Sequence, residues 1–535
     1  MGTKFIFVTG GVVSSLGKGI TASTIGLLLK AHGLKVFMLK FDPYLNIDPS
    51  KMSPFQHGEV YVTEDGAETD LDLGHYERFI DENLTKESSV TAGKIYKTVL
   101  DKERKGEYLG ATIQVVPHIT NEIKRRIEAA ASKSLADVVI IEIGGTVGDI
   151  ESTPFLEAIR QFRLDKGYSD VMFIHATLVP YLKMSDEHKT KPTQHSVKEL
   201  QGLGIQPDCI VLRSETSIGL SEKEKISLFC NVPVKAVFEA VDQKMLLNII
   251  TAFKEQNIDN YILERLNIVG HEQVDISNWT SLIEVVKSLN KVVKIGLVAK
   301  CTELHDAYLS VAEALTHAGY NLYAKVEINW IDATDINEAN VSSLLSTLDG
   351  VIVPDGSGAR GVEGILTTIK YVREHNIPFL GICYGMHLAL IEYANNVLHI
   401  EDCSSSEIDE NCLNPIIDCL PNQYEGIGSS GMSRLGTYKC QLVEGSVAHN
   451  IYKCGIIYER HRHRYEFNNK YCDAFVNKDA QFSGFNPETG LKEIFEITSN
   501  RFYVTCEFHP EFKSRPIKPH PLFVEFIAAS LEVHK

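Results

Sequence analysis

Short apolar runs without alternation, each followed by a helical stretch, constrain the fold of this chain more than any other feature. The clearest run is at residues 137–143, where Val and Ile fill successive positions. Such a run suits a strand that is buried on both faces, as in a parallel sheet covered by helices. Similar runs occur at residues 4–9, 35–41, 171–176 and 209–212. The first half of the chain is therefore predicted to form a doubly wound α/β fold.

The second half of the chain repeats this organisation. Buried strands are predicted at Lys291–Ala299, Gly350–Val353 and 378–382, and the last two run into glycine-rich turns. We interpret the polar stretch at 269–290 as a linker, and the segment 401–434, rich in Ser, Asn and Cys, as a long loop. These patterns predict two doubly wound α/β domains, at residues 1–268 and 292–535, joined by a linker at 269–291.

Length and composition exclude several classes of protein. The 535 residues predict more than one domain. The formal net charge of −17 disfavours nucleic acid or an anionic membrane as the main partner. No stretch is apolar enough to span a bilayer and no secretory signal is present, so we expect a cytoplasmic protein. The 11 cysteines include no Cys-x-x-Cys pair, which argues against a zinc ribbon and a disulfide framework.

A glycine-rich loop follows the first predicted strand. Residues 10–19 read GGVVSSLGKG and lead into a predicted helix at 21–32. Small residues expose backbone N–H groups, a helix N-terminus attracts anions, and Lys18 can reach outer phosphates. The loop is one residue longer than the usual phosphate-binding loop, and Gly19 stands where Ser or Thr would bind Mg²⁺. An ordinary glycine-rich connection is the alternative, but the position between a strand and a helix favours phosphate binding.

Carboxylates that suit a metal ion occur in two places. Glu142 lies near the end of a buried run, where the carboxyl end of a parallel strand faces the ligand crevice. Five acids crowd another segment, namely Glu64, Asp65, Glu68, Asp70 and Asp72. Two carboxylates together with phosphates suit Mg²⁺. A solvated face explains most of the crowded acids, whereas burying an unpaired acid such as Glu142 is costly.

Two basic segments are candidates for anion binding. Residues 189–196 (KTKPTQHS) combine cations, hydroxyls and an amide around a proline, which suits a polyanion and a base edge; a solvated turn is the alternative. Residues 460–464 (RHRHR) alternate, so a strand would place the three arginines on one face. We interpret that face as a carboxylate- or phosphate-binding edge.

A nucleophile motif lies in the second half of the chain. Residues 381–385 (GICYG) follow a predicted strand and precede a helix, which is the glycine-flanked elbow of a nucleophile, here Cys383. The helix N-terminus is expected to lower the pKa of the thiol. Near the C-terminus, His509 and Glu511 would face the same way on an extended segment. A lone buried cysteine is usually structural, but this context predicts a nucleophile, a base and an orienting acid.

Together these motifs resemble the CTP synthase family over nearly the whole chain. The resemblance rests on residues 7–19, 64–72, 189–196 and 460–466. It implies an N-terminal amidoligase domain and a C-terminal class I glutamine amidotransferase domain. The implied reaction aminates UTP to CTP with ATP and with ammonia from glutamine, through a 4-phosphorylated UTP. Mg²⁺ is the implied cofactor, GTP an activator, CTP an inhibitor, and a homotetramer the assembly.

The resemblance also implies residue roles. The catalytic residues are Cys383, His509 and Glu511. ATP is bound by Ser15, Leu16, Gly17, Lys18, Gly19, Ile20, Lys40 and Asp72. UTP or inhibitory CTP is bound by Ser14, Asp149, Ile150, Glu151, Lys189, Thr190, Lys191, Pro192, Thr193, Gln194 and Lys225. Glutamine is bound by Gly356, Tyr384, Gly385, Met386, His387, Glu407 and Arg464. The metal ligands are Asp72 and Glu142.

Several positions depart from the family pattern. Asp355 and Ser357 stand where the glutaminase loop usually has Gly and Phe, and Tyr384 and His387 stand where Leu and Gln are usual. A second negative charge beside the thiolate would slow its attack, so we expect Asp355 to point outward, toward Arg360. We also expect weaker glutamine binding, because His offers fewer hydrogen bonds than Gln.

Three alternatives stay open at this point. A nucleotide-dependent switch that positions a partner on DNA or a membrane needs a basic surface or an anchor and has no use for Cys383 with His509. A ligase of the same class with an impaired glutaminase domain would use free ammonia. A glutamine-fed ligase with a carboxylate acceptor is disfavoured by residues 189–196.

Overall fold

The computed structural model describes residues 2–13, 16–419, 433–475 and 479–533. The chain forms two compact units. The first comprises Met1–Pro49 and Asp72–Ile283, and the second comprises Ser50–Leu71 and Glu284–Lys535. The predicted division follows the order of the chain, whereas the second unit also includes the early segment Ser50–Leu71.

The secondary structure alternates strands and helices in both halves of the chain. The strands are β1 Lys4–Gly10, β2 Val36–Asp42, β3 Tyr61–Val62, β4 Glu68–Thr69, β5 Ser89–Thr91, β6 Val138–Ile143, β7 Val171–Leu178, β8 Tyr181–Leu182, β9 Glu187–His188, β10 Cys209–Ser214, β11 Val237–Val241, β12 Lys291–Ala299, β13 Ala324–Asp332, β14 Gly350–Val353, β15 Phe379–Ile382, β16 Cys403–Ser405, β17 Asn414–Asp418, β18 Arg434–Leu442, β19 Ile456–His463, β20 Glu466–Phe467, β21 Ala480–Phe485, β22 Lys492–Ile497 and β23 Tyr503–Cys506. The α-helices are α1 Lys18–Ala31, α2 Pro54–His57, α3 Asp72–Ile80, α4 Ala92–Arg104, α5 Thr120–Ser134, α6 Thr153–Lys166, α7 Lys191–Gly202, α8 Leu220–Cys230, α9 Asn248–Glu255, α10 Ile258–Arg265, α11 Ser277–Lys287, α12 Leu309–Asn321, α13 Val341–Leu345, α14 Val362–Glu374, α15 Tyr384–Asn396, α16 Val447–Tyr452, α17 Cys472–Phe475 and α18 Pro521–Leu531.

The first unit is built on a seven-stranded parallel sheet in the order β11-β10-β7-β1-β6-β2-β5. Every residue of β6 is buried, as its unbroken run of Val and Ile predicts. Phe7 and Ile141 join the core under α5 and α6, whereas Met38 and Ile140 face α1. From β1 the chain leads to β2 on one side and later to β7 on the other. This change of direction opens a crevice at the carboxyl end of β1.

The second unit is built on a nine-stranded mixed sheet in the order β13-β12-β14-β15-β23-β22-β21-β18-β19. The strands from β13 to β23 are parallel, and those from β23 to β19 are antiparallel. Val351 and Val353 join the core with α14 and α15, while Ile352 between them joins the core with α12 and α18. The two-domain α/β prediction is confirmed, although the second sheet is parallel only in part.

One connection differs from its prediction. The segment 401–434 was expected to be a long loop, but β16 and β17 lie within it and pair with β20 in a three-stranded sheet. Residues 420–432 lie outside the described residues. Within the described part of the chain, no helix has the length and apolarity needed to cross a membrane.

Candidate active sites

The glycine-rich loop of the first unit leads directly into α1. Gly17 precedes the helix with a φ of 79°, in the left-handed region that favours glycine. Lys18 then begins the helix, and its Nζ donates a hydrogen bond to the carbonyl oxygen of Gly145, just beyond β6. Burial lowers the pKa of Lys18. The predicted phosphate-binding lysine therefore points across the carboxyl ends of β1 and β6.

The loop also passes very close to α7. A Cβ added at Gly11 would lie 1.6 Å from Oγ of Ser196. The same Oγ lies 2.8 Å from Nε2 of His175, whose Nδ1 lies 2.8 Å from Oγ1 of Thr9. Burial, and to a lesser degree Lys18, lowers the pKa of His175 to about 3. This neutral histidine links Thr9, just before the loop, to Ser196 of α7. It was not identified from the sequence.

The two predicted metal ligands come together beside Lys40. The sheet register places Glu142 opposite Lys40, and the Lys40 ammonium donates a hydrogen bond to Asp72 at the start of α3. Tyr76, one turn later in α3, donates its hydroxyl hydrogen to Glu142. Burial, and in second place the Asp72 carboxylate, raises the pKa of Glu142 to about 7. The arrangement is a cluster of three carboxylates, Asp42, Asp72 and Glu142, beside Lys40, and of these groups Asp72 is the one that is partly exposed.

Gly19 leaves space between those two carboxylates. A Cβ at this position would lie 2.7 Å from Oδ1 of Asp72 and 3.3 Å from Oε2 of Glu142. Ser or Thr, the usual residues here, would collide with Asp72. Two carboxylate oxygens that flank one point beside a helix N-terminus suit the oxygen coordination of Mg²⁺. The residues present therefore fit this ion.

Of the other crowded acids, Glu68 and Asp70 belong to the second unit and lie beside an arginine and a histidine there. Oε1 of Glu68 lies 2.9 Å from Nε of Arg462, and Oδ2 of Asp70 lies 3.4 Å from Nε2 of His57. Arg460 is fully buried and donates hydrogen bonds to the hydroxyl of Tyr61 and the carbonyl oxygen of Val62. The predicted anion-binding arginines of β19 therefore hold the segment Ser50–Leu71 in place.

The predicted UTP-binding residues fall into two groups. Thr190, Thr193 and Gln194 are buried at the start of α7, where Gln194 donates a hydrogen bond to Oγ1 of Thr190 at 3.1 Å. The remaining residues have partly or fully exposed side chains: Lys189, Lys191, Pro192 and Lys225, and also Asp149, Ile150 and Glu151 just before α6. Ser14 and Ser15 lie outside the described residues.

In the second unit, adjacent strand ends bring three reactive side chains together. β14, β15 and β23 are neighbouring parallel strands. Asp355 comes soon after β14, Cys383 directly after β15, and His509 soon after β23. One ligand atom of each residue lies within 4.8 Å of the other two. The carboxyl edge of this sheet therefore builds the second site.

Cys383 occupies a strained elbow between β15 and α15. Its φ is 50° and its ψ is −102°, a combination that side chains larger than glycine's rarely adopt. Its backbone N–H donates a hydrogen bond of 2.7 Å to the carbonyl oxygen of Cys506 in β23. Gly385 permits the helix to start here, because a Cβ on it would lie 2.2 Å from the carbonyl oxygen of Val353. The structure therefore contains the strand, the turn and the helix that the motif predicts.

His509 and Glu511 form a buried pair. Nδ1 of His509 donates a hydrogen bond of 2.7 Å to Oε1 of Glu511. Burial alone would lower the pKa of His509, but the Glu511 carboxylate outweighs it and the pKa is raised. From the sequence, these two side chains were expected to face the same way because the segment would be extended. That explanation is wrong, since Pro510–Lys513 is a 3₁₀ turn.

Two expectations about the nucleophile are wrong. Burial raises the pKa of the Cys383 thiol well above its ordinary value, and the negative charge of Asp355 raises it further, so the helix N-terminus does not prevail. Asp355 does not point toward Arg360, whose guanidinium lies 3.7 Å from Asp332 instead. The Asp355 carboxylate lies beside the thiol, with Nη1 of Arg462 at 4.0 Å.

A lysine that sequence reasoning missed holds the loop at residues 355–358. Nζ of Lys300, just after β12, donates hydrogen bonds of 2.9 Å and 2.6 Å to the carbonyl oxygens of Ser357 and Gly358. It also lies 4.1 Å from the ring centroid of Tyr384. Glu407 accepts the N–H of Gly358 at 3.0 Å. Burial lowers the pKa of Lys300 to about 8. The sequence feature that could have identified Lys300 is its position at the end of a buried strand.

A cavity of about 580 Å³ opens over these residues. Its lining includes Cys383, His509 and Glu511 and five of the predicted glutamine-binding residues: Gly356, Tyr384, His387, Glu407 and Arg464. Gly385 and Met386 are buried in the core and are not part of the lining. Oppositely charged side chains at Glu407 and Arg464 give this cavity the polarity that an α-amino acid zwitterion requires.

Three buried histidines, His387, His461 and His463, lie close together at the cavity. Nε2 of His387 donates to Oε1 of Glu507 at 2.7 Å, and Nδ1 of His463 lies 3.3 Å from the same oxygen. Nε2 of His463 lies 2.9 Å from Nδ1 of His461, whose Nε2 faces Arg434 at 3.5 Å. Burial and Arg434 lower the pKa values of His461 and His463. Burial opposes protonation of His387, but Glu507 outweighs it and raises the pKa.

Two family models match the chain. Residues 4–268 match "CTP synthase N-terminus", and residues 303–529 match "Glutamine amidotransferase class-I". A CTP synthase from Halalkalibacterium halodurans is 56% identical over 99% of this chain and 100% of its own length. A CTP synthase from Bacillus subtilis is also 56% identical, over 99% of each chain.

A solved structure is similar to part of the chain. The glutaminase domain of Trypanosoma brucei CTPS with bound acivicin is 31% identical. The match covers 44% of this chain and 93% of that one, with a TM-score of 0.42.

Proposed function

The chain belongs to the CTP synthase family, and on that premise we propose how its two units share the conversion of UTP to CTP. The reaction is driven by ATP, and glutamine supplies the nitrogen. Nothing in the comparisons supports an impaired glutaminase. The first unit activates the uracil ring, and the second releases ammonia.

In the first unit, the loop and the start of α1 bind the phosphates of ATP. The binding residues are Ser15, Leu16, Gly17, Lys18, Gly19 and Ile20, together with Lys40 and Asp72. The uracil O4 attacks the γ-phosphorus, the bond to the β–γ bridging oxygen breaks, and 4-phosphorylated UTP and ADP result. Lys18 and Lys40 stabilise the charge that is transferred. Ammonia then displaces phosphate from C4 and gives CTP.

Asp72 and Glu142 are proposed to hold Mg²⁺. When it is bound, the ion neutralises charge on the phosphates. The support is the space at Gly19, flanked by both carboxylates. The hydroxyl of Tyr76 fixes the Glu142 side chain in this direction.

We place UTP at the start of α7. Thr190, Pro192, Thr193 and Gln194 form the first turn and its cap, and the N–H groups of a helix N-terminus bind phosphate. Ser14, Lys189, Lys191 and Lys225 complete the set. Inhibitory CTP contacts the exposed Asp149, Ile150 and Glu151.

In the second unit, Cys383 cleaves the amide of glutamine. Nε2 of His509 takes the proton from Sγ, and the thiolate attacks the amide carbon. The imidazolium then returns the proton to the departing ammonia, and water hydrolyses the thioester to glutamate. Glu511 accepts Nδ1–H, which leaves the lone pair on Nε2 where the thiol proton must go.

The charged residues of the cavity bind the two ends of glutamine. Glu407 faces the α-ammonium, while Arg464 and the imidazolium of His387 face the α-carboxylate. Glu507 raises the pKa of His387 and so favours its protonated form, in which Nδ1, buried without a partner among the described residues, donates to the substrate. Gly356, Tyr384, Gly385 and Met386 shape the loop and helix around it.

We further propose regulation and assembly on the family resemblance. GTP activates glutamine hydrolysis, CTP inhibits the synthetase reaction, and the enzyme is a homotetramer. Sedimentation with and without nucleotides tests the assembly.

The observation that carries this proposal is the meeting of Cys383 and His509 at one strand edge above a polar cavity. The test measures UTP- and ATP-dependent CTP formation with either glutamine or ammonium. Cys383→Ala should abolish the glutamine reaction and leave the ammonium reaction near the wild-type rate. Loss of both activities in a folded variant would contradict the division of labour.

A further inference from the structure

We propose that Asp355, Cys383 and His509 bind a thiophilic divalent cation such as Zn²⁺, which blocks glutamine hydrolysis. One ligand atom from each residue lies within 4.8 Å of the other two. The inference goes beyond the proposed function, because neither step of CTP formation needs an ion at this place.

The three side chains match the coordination chemistry of zinc. Thiolate, imidazole and carboxylate are its protein ligands, with bonds of about 2.0–2.3 Å in tetrahedral sites. Such bonds separate neighbouring ligand atoms by about 3.3–3.6 Å, so the group, whose atoms lie within 4.8 Å of one another, needs to contract by at most about 1.5 Å. The three residues line the cavity, which leaves the fourth position open to water.

His509 is oriented as a metal ligand. Its side chain is 2% exposed, and Nε2 has no hydrogen-bond partner among the described residues. The other nitrogen, Nδ1, donates to Glu511 at 2.7 Å. A histidine that binds zinc commonly donates its second N–H to a carboxylate, which fixes the ring and makes the free nitrogen more basic. The lone pair that accepts the thiol proton during catalysis can therefore bind an ion instead.

Asp355 distinguishes this site from a bare cysteine–histidine pair. Glycine, the usual residue at this position of the family's glutaminase loop, has no side-chain atom that could bind a metal ion. The Asp355 carboxylate adds an anionic oxygen, while Arg462, 4.0 Å away, is too distant to form a tight bidentate pair with it. An ion bound here occupies the nucleophile and the base at once, so inhibition follows from the geometry.

A second buried group of possible ligands, His463, Glu466 and Glu507, is a weaker candidate. Nδ1 of His463 donates to the carbonyl oxygen of Tyr465 at 3.1 Å, and its Nε2 is bonded to His461. Both nitrogens are thus engaged. The group also contains no cysteine, which gives the experiment a way to separate the two.

The test titrates the full-length, chelator-treated enzyme with Co²⁺ alone and follows the thiolate-to-cobalt charge-transfer band. We expect one equivalent to saturate the band in the wild type and the band to be absent in Cys383→Ser. Zn²⁺ affinity is then measured by competition with a chromophoric chelator. An absent band, or one that persists in Cys383→Ser, would overturn the proposal.

Two matched carboxylate-to-amide variants separate ligation from charge. Asp355→Asn should weaken Zn²⁺ binding at least about tenfold. Glu407→Gln removes the same charge from the same cavity but not from the ligand group, so its effect should be about threefold or less. Equal effects would refute ligation by Asp355. These readouts do not involve UTP or ATP, so they can fail while the proposed function stands.

Discussion

At Cys383, the position at a helix N-terminus and the charge of a neighbouring side chain shift the thiol pKa in opposite directions. Cys383 lies at a helix N-terminus, which favours a thiolate, but it is buried beside the Asp355 carboxylate. Two unit charges about 5 Å apart interact by about 3 kcal/mol at an effective dielectric near 20. Arg462 offsets part of this repulsion. Burial and the Asp355 carboxylate therefore keep the resting thiol protonated, and His509 must remove its proton when glutamine binds.

We predict that Asp355→Asn lowers the pKa of the Cys383 thiol, because the amide no longer opposes the thiolate. The pH midpoint for alkylation of Cys383 by iodoacetamide should fall by about one unit or more. Cys383→Ala gives the background from the other cysteines. A midpoint that is unchanged or higher would show that the carboxylate does not act on the thiol.

Glu466 gives the second unit a pH-dependent stability. Burial, opposed by Arg434 and aided by the neighbouring carboxylates Glu507 and Glu493, raises its pKa from 4.5 to about 8. Between these values the folded chain keeps a proton that the unfolded chain releases. The free energy of unfolding therefore falls as pH rises through this window.

We predict that Glu466→Gln reduces this loss of stability, because the amide does not titrate. Calorimetry of the full chain at pH 5.5 and pH 8.5 should show a smaller decrease in the thermal midpoint of the affected transition for the variant. Parallel decreases in both proteins would mean that Glu466 is ionised throughout.

At the scale of elements, the turn between β15 and α15 stores backbone strain in order to present the thiol. A residue in such a region costs about 1–3 kcal/mol. Cys383→Gly and Cys383→Ala both remove the thiol, but only Gly relieves the strain. We predict that the Gly variant is more stable by about 1 kcal/mol, even though Gly increases the entropy of the unfolded chain. Thermal midpoints decide this, and an equal or higher midpoint for Ala would argue against strain.

The approach of the first glycine-rich loop to α7 allows a rescue experiment. Gly11→Ala should abolish CTP formation from either nitrogen source, because its Cβ would meet the side chain of Ser196, with Oγ at 1.6 Å and Cβ at 2.8 Å. Adding Ser196→Gly removes both contacts and leaves Nε2 of His175 at 3.2 Å as the nearest atom, so the double variant should regain part of the activity. Steady-state rates of all three variants test the contact, and a double variant as inactive as Gly11→Ala would contradict it.

Local patterns predicted the elements well and their partners poorly. Unbroken apolar runs marked β6 and β15 because both faces of those strands are buried, and the elbow motif marked Cys383 because its backbone needs flanking glycines. The direction of the Asp355 side chain, the role of Lys300 and the pairing of His387 with Glu507 depend on residues that are distant in sequence. A periodicity carries no information about such contacts, so these features became visible only in three dimensions.

At the scale of the whole molecule, the residues of each proposed site are confined to one unit. Lys18, Lys40, Asp72 and Glu142 lie in the first, and the residues around Cys383 lie in the second. We predict that Lys18→Ala lowers CTP formation from both glutamine and ammonium by about 10² to 10³, because phosphoryl transfer precedes amination. Glutamine hydrolysis should persist in this variant when glutamate is measured. Ammonium-dependent synthesis at a near-normal rate would contradict the assignment of Lys18.

The segment Ser50–Leu71 has a consequence for how the protein is made. It leaves the ribosome long before β12 to β23 exist, yet its partners lie in these strands or just after them: Tyr61 donates its hydroxyl hydrogen to the carbonyl oxygen of Phe512, which follows β23, and Glu68 pairs with Arg462 of β19. During translation this segment therefore lacks these contacts until the later part of the chain has been synthesised. A gene cut after residue 283 would therefore place this segment on one polypeptide and its partners Arg462 and Phe512 on the other.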